Sequence, residues 1–514
     1  MIRLNAPDAS PLEHGTVRAV LAHVNLTPRT CSDELAQSLR LFYPLDKELA
    51  LRVRSGTSSL TDSATANEQI RFFQQRRLLR SYIKIAEHLA NRLGDINIEI
   101  GNHANIDASS HDFFAVAASV CGWKVSFRTE AISAHPSESI ESLWAPEETT
   151  ILAILNSARE SENVDPVINA AFEYVSVGDG RTAEAIGRHL VEMEQSPRIW
   201  NLLALASSMQ NKSEQAEIFY KKWGNSIDKL DQVRALYGRA MLYARHHQPA
   251  LRSIAESGAL LDEAYHIIQN LPADVREDDS VVFEEVFNRN GAALVYFRTG
   301  NVDEALRIMH WGIARLTQTT EKVAIHRSVL MYNLAQCYRQ MGNIEQAINT
   351  YEALLRVDLH MAEYHLEAAK CYAQSGDYQQ AIECCHNAIR LDDTLASAWS
   401  LQGVYLNRTS QYLEAAESFH EASRLAPRQI RHALDEAYSL ILAGQIDESF
   451  NLLNKITPIN TADLERWGSL YAEGHLKNGD ANKATEALTH ALNLHPSSRV
   501  LKENLNRVTD HAAN

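Results

Sequence analysis

The residues of this chain best suited to hold a metal ion lie close together in one predicted loop. His103, Asp107 and His111 each carry a side chain that can bind a transition metal. Such a group more often forms a hydrogen-bonded turn, and we favour that interpretation. The chain contains no GxSxG or HExxH motif and no sequence pattern typical of a catalytic cysteine with its histidine. We therefore predict no catalytic residue, no metal and no cofactor, and a protein that is not an enzyme.

The composition indicates a globular protein with an acidic surface. The chain has 514 residues, of which 45% are hydrophobic and 22% charged, and this suits two or three domains or one long solenoid. A net charge of −16 argues against general nucleic-acid binding, because contact with phosphates requires a basic surface. No apolar run is long enough to span a membrane, the N-terminus lacks the apolar core of a signal peptide, and the six cysteines show no CxxC spacing. We expect a cytoplasmic protein without membrane or direct nucleic-acid contacts.

One sequence pattern occurs twice between residues 362 and 426. Each copy has a small residue, an aromatic residue or Leu three positions later, a Gly or Ser four positions after that, and then Tyr-x-x-Ala. The copies run through Ala369, Tyr372, Gly376, Tyr378 and Ala381, and through Gly403, Leu406, Ser410, Tyr412 and Ala415. The two copies are 34 residues apart, which is the period of a repeat made of two helices and a turn.

This pattern resembles the tetratricopeptide repeat (TPR) family, because spacing and residue types agree together. The resemblance implies a mainly α-helical fold, in which helix A and helix B of each repeat form a hairpin and successive hairpins stack into a right-handed superhelical solenoid. Small residues such as Ala369 and Gly403 would let the two helices approach, and Gly376 would take the positive φ of the turn. A small N-terminal α/β domain is expected to precede this α-solenoid.

Pattern and composition predict the following organisation of the chain. The predicted regions are a small α/β unit over 1–130, a linker over 131–149, divergent TPR-like hairpins over 150–264, an irregular insertion over 265–285, a regular TPR array over 286–498, and a C-terminal capping helix and tail over 499–514. In the first region, alternating apolar and polar residues predict strands from Gly15, at 95–100 and at 124–128, while helical periodicity predicts a long helix over 70–93.

The N-terminal region also resembles, more weakly, the Walker B portion of signalling ATPases of the STAND or AAA-like class. The similarity to their HWADxxS segment and strand-end arginine rests on His103, Asp107, Ser109, Ser110 and Arg128. The family's acidic pair is replaced by Gly101 and either Ile100 or Asn102, and no GxxxxGK[ST] loop occurs in the chain. The resemblance therefore implies a degenerate, nucleotide-free pseudo-ATPase.

In TPR proteins, particular positions of helix A line the concave groove, and the resemblance assigns those positions here. The predicted partner-binding residues are Asn290, Phe297, Arg298, Tyr332, Asn333, Gln336, Arg339, Lys370, Gln374, Asn407, Arg408 and Tyr438. Amide groups can bond a peptide backbone, and guanidinium groups can pair with carboxylates. The alternative interpretation is that these residues form ordinary solvated helix faces.

The function predicted from these observations is that of a non-catalytic adaptor or scaffold that binds a peptide or protein in its groove. In one version the adaptor presents a substrate to a partner enzyme, so that its partner is that enzyme or its peptide substrate. An alternative is a signal-sensing regulator related to ATPase–TPR regulators. An enzyme that uses the N-terminal region ranks last. The sequence leaves homo-oligomerisation open.

Overall fold

The computed structural model of the protein describes residues 1–6, 12–55, 59, 74–132, 150–151, 153–154, 156, 163–316 and 321–513. The chain divides into two compact units, Met1–Met361 and Ala362–Asn514. Most of the predicted linker lies outside the described residues. The predicted domain boundaries stay predictions.

A three-stranded parallel sheet occupies the start of the first unit. Its strands are β1 (Ile2–Asn5), β2 (Asn97–Gly101) and β3 (Lys124–Phe127), with β2 in the middle. Parallel neighbours cannot be joined by a tight turn, so the chain crosses over between strands through helices. These are α1 (Gly15–His23), α2 (Asp33–Leu39), α3 (Lys47–Ser55), α4 (Gln74–Leu93) and α5 (Ala108–Cys121). The predicted small α/β region is confirmed, together with two of its strands.

The strand predicted from Gly15 is wrong, because that segment forms helix α1. Residues 15–22 are all buried, so α1 has no solvent-exposed polar face. A helix is normally recognised in a sequence because a polar face alternates with an apolar one, and α1 lacks this pattern. Arg18 is buried with them and donates a hydrogen bond to the carbonyl of Glu13 at 2.9 Å. Strand β1 was not predicted either. The long predicted helix is observed from Gln74, and residues 70–73 lie outside the described part.

Helical hairpins make up the described residues of the first unit from 163 onward. Their helices are α6 (Asp165–Val177), α7 (Gly180–Met193), α8 (Pro197–Met209), α9 (Ser213–Trp223), α10 (Lys229–Met241), α11 (Ile254–Gln269), α12 (Ala273–Arg276), α13 (Asp279–Arg298), α14 (Val302–Arg315), α15 (Glu321–Gln340) and α16 (Ile344–Val357). The prediction that 265–285 is irregular is wrong. That segment contains the end of α11, the short α12 and the start of α13, and its status as an insertion stays a prediction.

The second unit is helical throughout its described residues. Its helices are α17 (Ala362–Gln374), α18 (Tyr378–Leu391), α19 (Ala396–Arg408), α20 (Tyr412–Leu425), α21 (Arg431–Leu442), α22 (Ile446–Leu453), α23 (Thr461–Lys477), α24 (Ala481–Leu494) and α25 (Arg499–Ala513). Small residues lie where paired helices cross, and Ala369, Ala381 and Ala415 are fully buried. Leu501 of α25 is also fully buried and packs in the cluster that contains Ala484 and Leu488.

The turn between the two helices of a hairpin requires a left-handed residue. Gly342, Gly376, Ser410 and Gly444 have φ of 81°, 88°, 63° and 81°, and they follow one another at intervals of 34 residues. Ser410 is therefore the one member of this series with a Cβ in a conformation that costs an L-residue about 1–2 kcal/mol.

We expect Ser410→Gly to raise the free energy of unfolding of the second unit by about 1 kcal/mol, because it removes this steric cost. The reciprocal change Gly376→Ser serves as the matched control and is expected to lower stability by a similar amount. Hydrogen exchange in the helices that flank each turn measures both effects. A destabilising Ser410→Gly would contradict the steric explanation.

Candidate functional site

The predicted groove residues of the first unit lie on α13 and α15, the first helices of two successive hairpins. The amide of Asn333 donates a hydrogen bond to Asn290 Oδ1 at 3.0 Å. Asn290 is buried, with 8% of its surface exposed. This bond fixes the two helices side by side, so Asn290 supports the surface while Asn333 forms part of it. We call α13 and α15 the first helix-A face.

The other predicted residues of this face differ in exposure. Phe297 is half-buried and packs against the core formed by α13, α14 and α15. Arg298 is exposed and donates to the carbonyl of Ala244 at 2.5 Å. Tyr332 is half-buried and meets Tyr351 edge to face, with ring centroids 6.1 Å apart. The side chains of Gln336 and Arg339 are half-buried.

The predicted residues of the second unit lie on α17, α19 and α21, again the first helices of their hairpins. Asn407 Nδ2 donates to Ser439 Oγ at 2.8 Å and so joins α19 to α21. Lys370 pairs with Glu367 on its own helix at 2.5 Å. Gln374 and Arg408 are exposed, while Tyr438 is half-buried against the core. Together with α23 these helices form the second helix-A face.

Sequence reasoning missed two further contacts that extend the second helix-A face. Asp435 of α21 forms an ion pair with Arg466 of α23. Ser469 of α23 accepts a hydrogen bond from Asn504 of α25 at 2.9 Å. Burial raises the pKa of Asp435 by more than the nearby Arg466 and Arg431 lower it. Carrying the helix-A positions of the earlier repeats forward into the later hairpins would have pointed to these residues.

Two side chains of the second helix-A face remain available to a ligand. Neither Gln374 nor Arg408 forms a side-chain hydrogen bond or ion pair within the part of the chain that the structure describes. Both are exposed on helices held in place by Asn407, Ser439 and the packed hairpins behind them. The assignment of the twelve predicted residues as a binding site stays a prediction.

Two family models described as tetratricopeptide repeat match the sequence, one over residues 286–359 and the other over 332–396. Residues 286–396 are therefore similar to tetratricopeptide repeats. The matched TPR segment begins within α13 and ends at the start of α19, so it includes most of the predicted groove residues. The predicted TPR resemblance is confirmed there.

Solved structures of TPR proteins are similar to parts of the chain. YrrB, described as a TPR protein with an unusual peptide-binding site, is 18% identical over 34% of this chain and 90% of its own, with a TM-score of 0.29. The C-terminal part of a TPR repeat-containing protein from Cytophaga hutchinsonii is 16% identical over 53% of this chain and 99% of its own, with a TM-score of 0.39. A TPR protein from Parabacteroides merdae is 16% identical over 54% and 98%, with a TM-score of 0.34. Comparison with curated proteins gives no match.

The loop that could have held a metal is used for helix capping. Asp107 caps α5: its Oδ1 accepts from the backbone N–H of Ser110 at 2.7 Å, and its Oδ2 accepts from the hydroxyl of the same residue at 2.6 Å. His103 and His111 instead lie against the ring of Phe127, with centroid distances of 5.1 and 5.7 Å. Among the described residues no group of three or more His, Cys, Asp and Glu is arranged to hold a metal.

Residues of the ATPase-like resemblance take part in local contacts. Arg128 pairs with Glu99 of β2 at 2.9 Å, and Ser109 Oγ accepts from Arg181 at 3.0 Å. The two family models match only the TPR segment, so the ATPase-like resemblance stays a prediction. No helix in the described part of the chain is long and apolar enough to cross a membrane.

A buried polar network, which no pattern in the sequence predicts, joins the α/β region to the first helical hairpin. His14 has no exposed surface, and its Nε2 lies 2.7 Å from the hydroxyl of Tyr82. Its Nδ1 lies 3.5 Å from Asp179, an ion-pair distance. Asp179 caps α7 by accepting from the backbone N–H of Thr182 at 3.0 Å. Burial alone would raise the pKa of Asp179, but His14 and Thr182 hold it below its usual range.

Proposed function

We propose that this protein is a non-catalytic TPR adaptor that binds a protein or peptide partner on its helix-A faces. One observation carries the proposal: polar side chains of successive first helices bond to each other, as in Asn290–Asn333 and Asn407–Ser439. These bonds hold neighbouring helices in register. The result is a preformed polar surface, which reduces the ordering cost of binding.

The chemistry of the available side chains suits an extended peptide. Gln336 and Gln374 carry amides that can both donate to and accept from a peptide backbone. Arg408 is exposed and offers a planar guanidinium group that binds a carboxylate with two parallel hydrogen bonds. Acidic or C-terminal carboxylates of the partner are therefore the expected contacts of Arg408.

We propose that the partner is an enzyme or the peptide substrate of that enzyme. The adaptor would bring the enzyme and its substrate together. We also propose a cytoplasmic location and leave assembly into homo-oligomers to experiment. A reducing compartment is consistent with the six cysteines, since no disulfide joins them. Burial raises the pKa of Cys337 to about 11, so this thiol stays protonated and unreactive at neutral pH.

The proposal predicts that charge reversal on the helix-A faces strongly weakens partner binding. The variant combines Arg339→Glu, Lys370→Glu and Arg408→Glu. A matched control combines Arg356→Glu, Arg390→Glu and Lys455→Glu, which reverse the same charges at exposed positions on or next to the second helices of their hairpins. Affinity capture from the native host measures recovery of a stoichiometric partner. We expect a loss of about tenfold or more for the first variant, from lost charge-assisted bonds, and none for the control.

Equal recovery with both variants would place the binding surface elsewhere. Circular dichroism of the two variants checks that both stay folded, so that a lost partner reflects the surface and not the fold.

A further inference from the structure

A cleft of about 640 Å³ opens in the first unit beside the buried network. Three parts of the chain line it: the α/β region, the turn before α7 with one face of α7, and the turn between α8 and α9. Its volume falls within the range of about 300–1,000 Å³ that is usual for small-molecule sites. The charged residues on its wall are Glu13, Asp112, Asp179, Arg181, Glu184, Arg188 and Lys212.

One end of the cleft has surplus positive charge. The carboxylate of Glu184 is buried and accepts from Arg188 at 2.6 Å and from Lys212 at 2.8 Å. Gln210 and Gln215 add further bonds at 2.7 and 3.1 Å. Two cations thus surround one carboxylate whose hydrogen-bonding capacity is largely used. Arg188 and Lys212 are themselves exposed, so a carboxylate of a ligand can reach them.

Another part of the cleft is negatively charged because of Glu13. Its Oε2 accepts from the backbone N–H of Ser109 at 2.6 Å, and Glu13 forms no ion pair within the described residues. Burial raises the pKa of Glu13, and the nearby carboxylates of Asp107 and Asp179 raise it further. A positively charged group of a ligand would relieve this cost directly.

The remaining charged residues of the wall have partners within the protein: Asp179 lies at ion-pair distance from His14, and Arg181 pairs with Asp112. Arg181 donates to Asp112 at 2.8 Å and to Ser109 Oγ at 3.0 Å. A phosphate or other polyanion would meet the carboxylates of Glu13, Asp112 and Glu184. A simple cation would meet Arg181, Arg188 and Lys212. Only a ligand with both signs satisfies both kinds of group.

We propose that this cleft binds a small zwitterion, namely an amino acid or a short peptide, with its ammonium group at Glu13 and its carboxylate at Arg188 and Lys212. This site is separate from the helix-A faces and does not depend on the partner proposed for them. Binding here would also contact both the α/β region and α7, which the His14–Asp179 network already joins.

Calorimetric titration of the full-length protein tests this inference. The probes are the free amino acids and a set of dipeptides, with propionate, ethylammonium and inorganic phosphate as single-charge or anionic controls. We expect at least one zwitterion to bind about tenfold or more tightly than any control, because two charge-assisted contacts replace one. Preference for amino acids or for dipeptides then identifies the size of the ligand, and either supports the proposal.

Variants of the cleft residues separate this site from other binding. Glu13→Gln keeps an oxygen for Ser109 N–H, and Lys212→Met keeps the aliphatic stem while Arg188 and Gln210 still bond Glu184. Each is expected to weaken zwitterion binding about tenfold or more, whereas Lys221→Met, which removes an exposed lysine paired with Glu217, leaves it unchanged. The proposal is overturned if no zwitterion binds, if phosphate binds more tightly, or if binding persists in both cleft variants. None of these outcomes affects partner capture by the helix-A faces.

Discussion

Gly403→Ala is expected to destabilise the second unit by about 1–3 kcal/mol, the usual cost of overpacking a core. A Cβ on Gly403 would lie 2.8–2.9 Å from three ring atoms of Phe419. Phe419 is 1% exposed and packs against Leu406 and Ala415, so the ring has little room to move. Hydrogen exchange in α19 and α20 measures the local free energy of opening. The matched control is Gly258→Ala in α11, measured by hydrogen exchange in that helix, because its Cβ would make only an ordinary contact with Val295 at 3.5 Å.

A double-mutant cycle shows whether the ring is the cause. Phe419→Ala alone should cost about 3–5 kcal/mol through loss of buried apolar surface and a residual cavity. In that background Gly403→Ala no longer meets the ring. It is then expected to stabilise α19 by about 0.5–1 kcal/mol, because alanine favours helix more than glycine does. The same loss from Gly403→Ala in both backgrounds would contradict this explanation.

Asp179→Ala is expected to cost the first unit about 3–5 kcal/mol, as is usual when one partner of a buried ion pair is removed. The change removes the cap of α7 and leaves His14 and Thr182 without their shared carboxylate. Asp228→Ala is the matched control, because Asp228 also caps a helix of the first unit but is exposed. The control should cost only about 1 kcal/mol. Hydrogen exchange in α7 measures the effect of Asp179→Ala, and hydrogen exchange in α10 measures that of Asp228→Ala. Equal losses of stability would mean that the buried network adds nothing beyond helix capping.

The same variant should show a characteristic pH dependence. Because the folded protein lowers the pKa of Asp179, the ionised carboxylate stabilises the fold above its unfolded pKa of about 3.9. This contribution to stability is lost as the pH falls through the pKa of Asp179 in the folded protein. The difference in stability between wild type and Asp179→Ala should therefore be largest near neutral pH and should shrink below about pH 4. A difference that stays constant across this range would argue against an ionised Asp179.

The features that could be predicted from sequence are those set by local spacing. The 34-residue period places Gly376, Ser410 and Gly444 in equivalent turns. The left-handed backbone predicted for Gly376 is confirmed, and Ser410 and Gly444 share it. The repeat period and the residue types were sufficient to predict these turns, because each hairpin packs mainly on its neighbours in the chain. Asp107 could also have been recognised as a helix cap, since Ser110 follows it at the position that such a cap contacts.

The features that could not be predicted depend on contacts between distant residues. His14 meets Tyr82 and Asp179, which follow it by 68 and 165 residues. A single sequence has no pattern that links such positions. Helix α1 was mistaken for a strand for a related reason, because burial on all sides is a property of the tertiary structure. The bonds Asn290–Asn333 and Asn407–Ser439 likewise depend on how neighbouring hairpins pack.

Site-specific photo-crosslinking tests the adaptor function most directly. A photoreactive amino acid is placed at Gln374 or Arg408 on the second helix-A face, and at Glu383 or Glu417 on the exposed side of the second helices. After irradiation in the native host, mass spectrometry identifies any crosslinked protein. We expect one common partner at Gln374 and Arg408 and none at Glu383 and Glu417. Crosslinking of the partner at Glu383 and Glu417 but not at the first two positions would contradict this expectation.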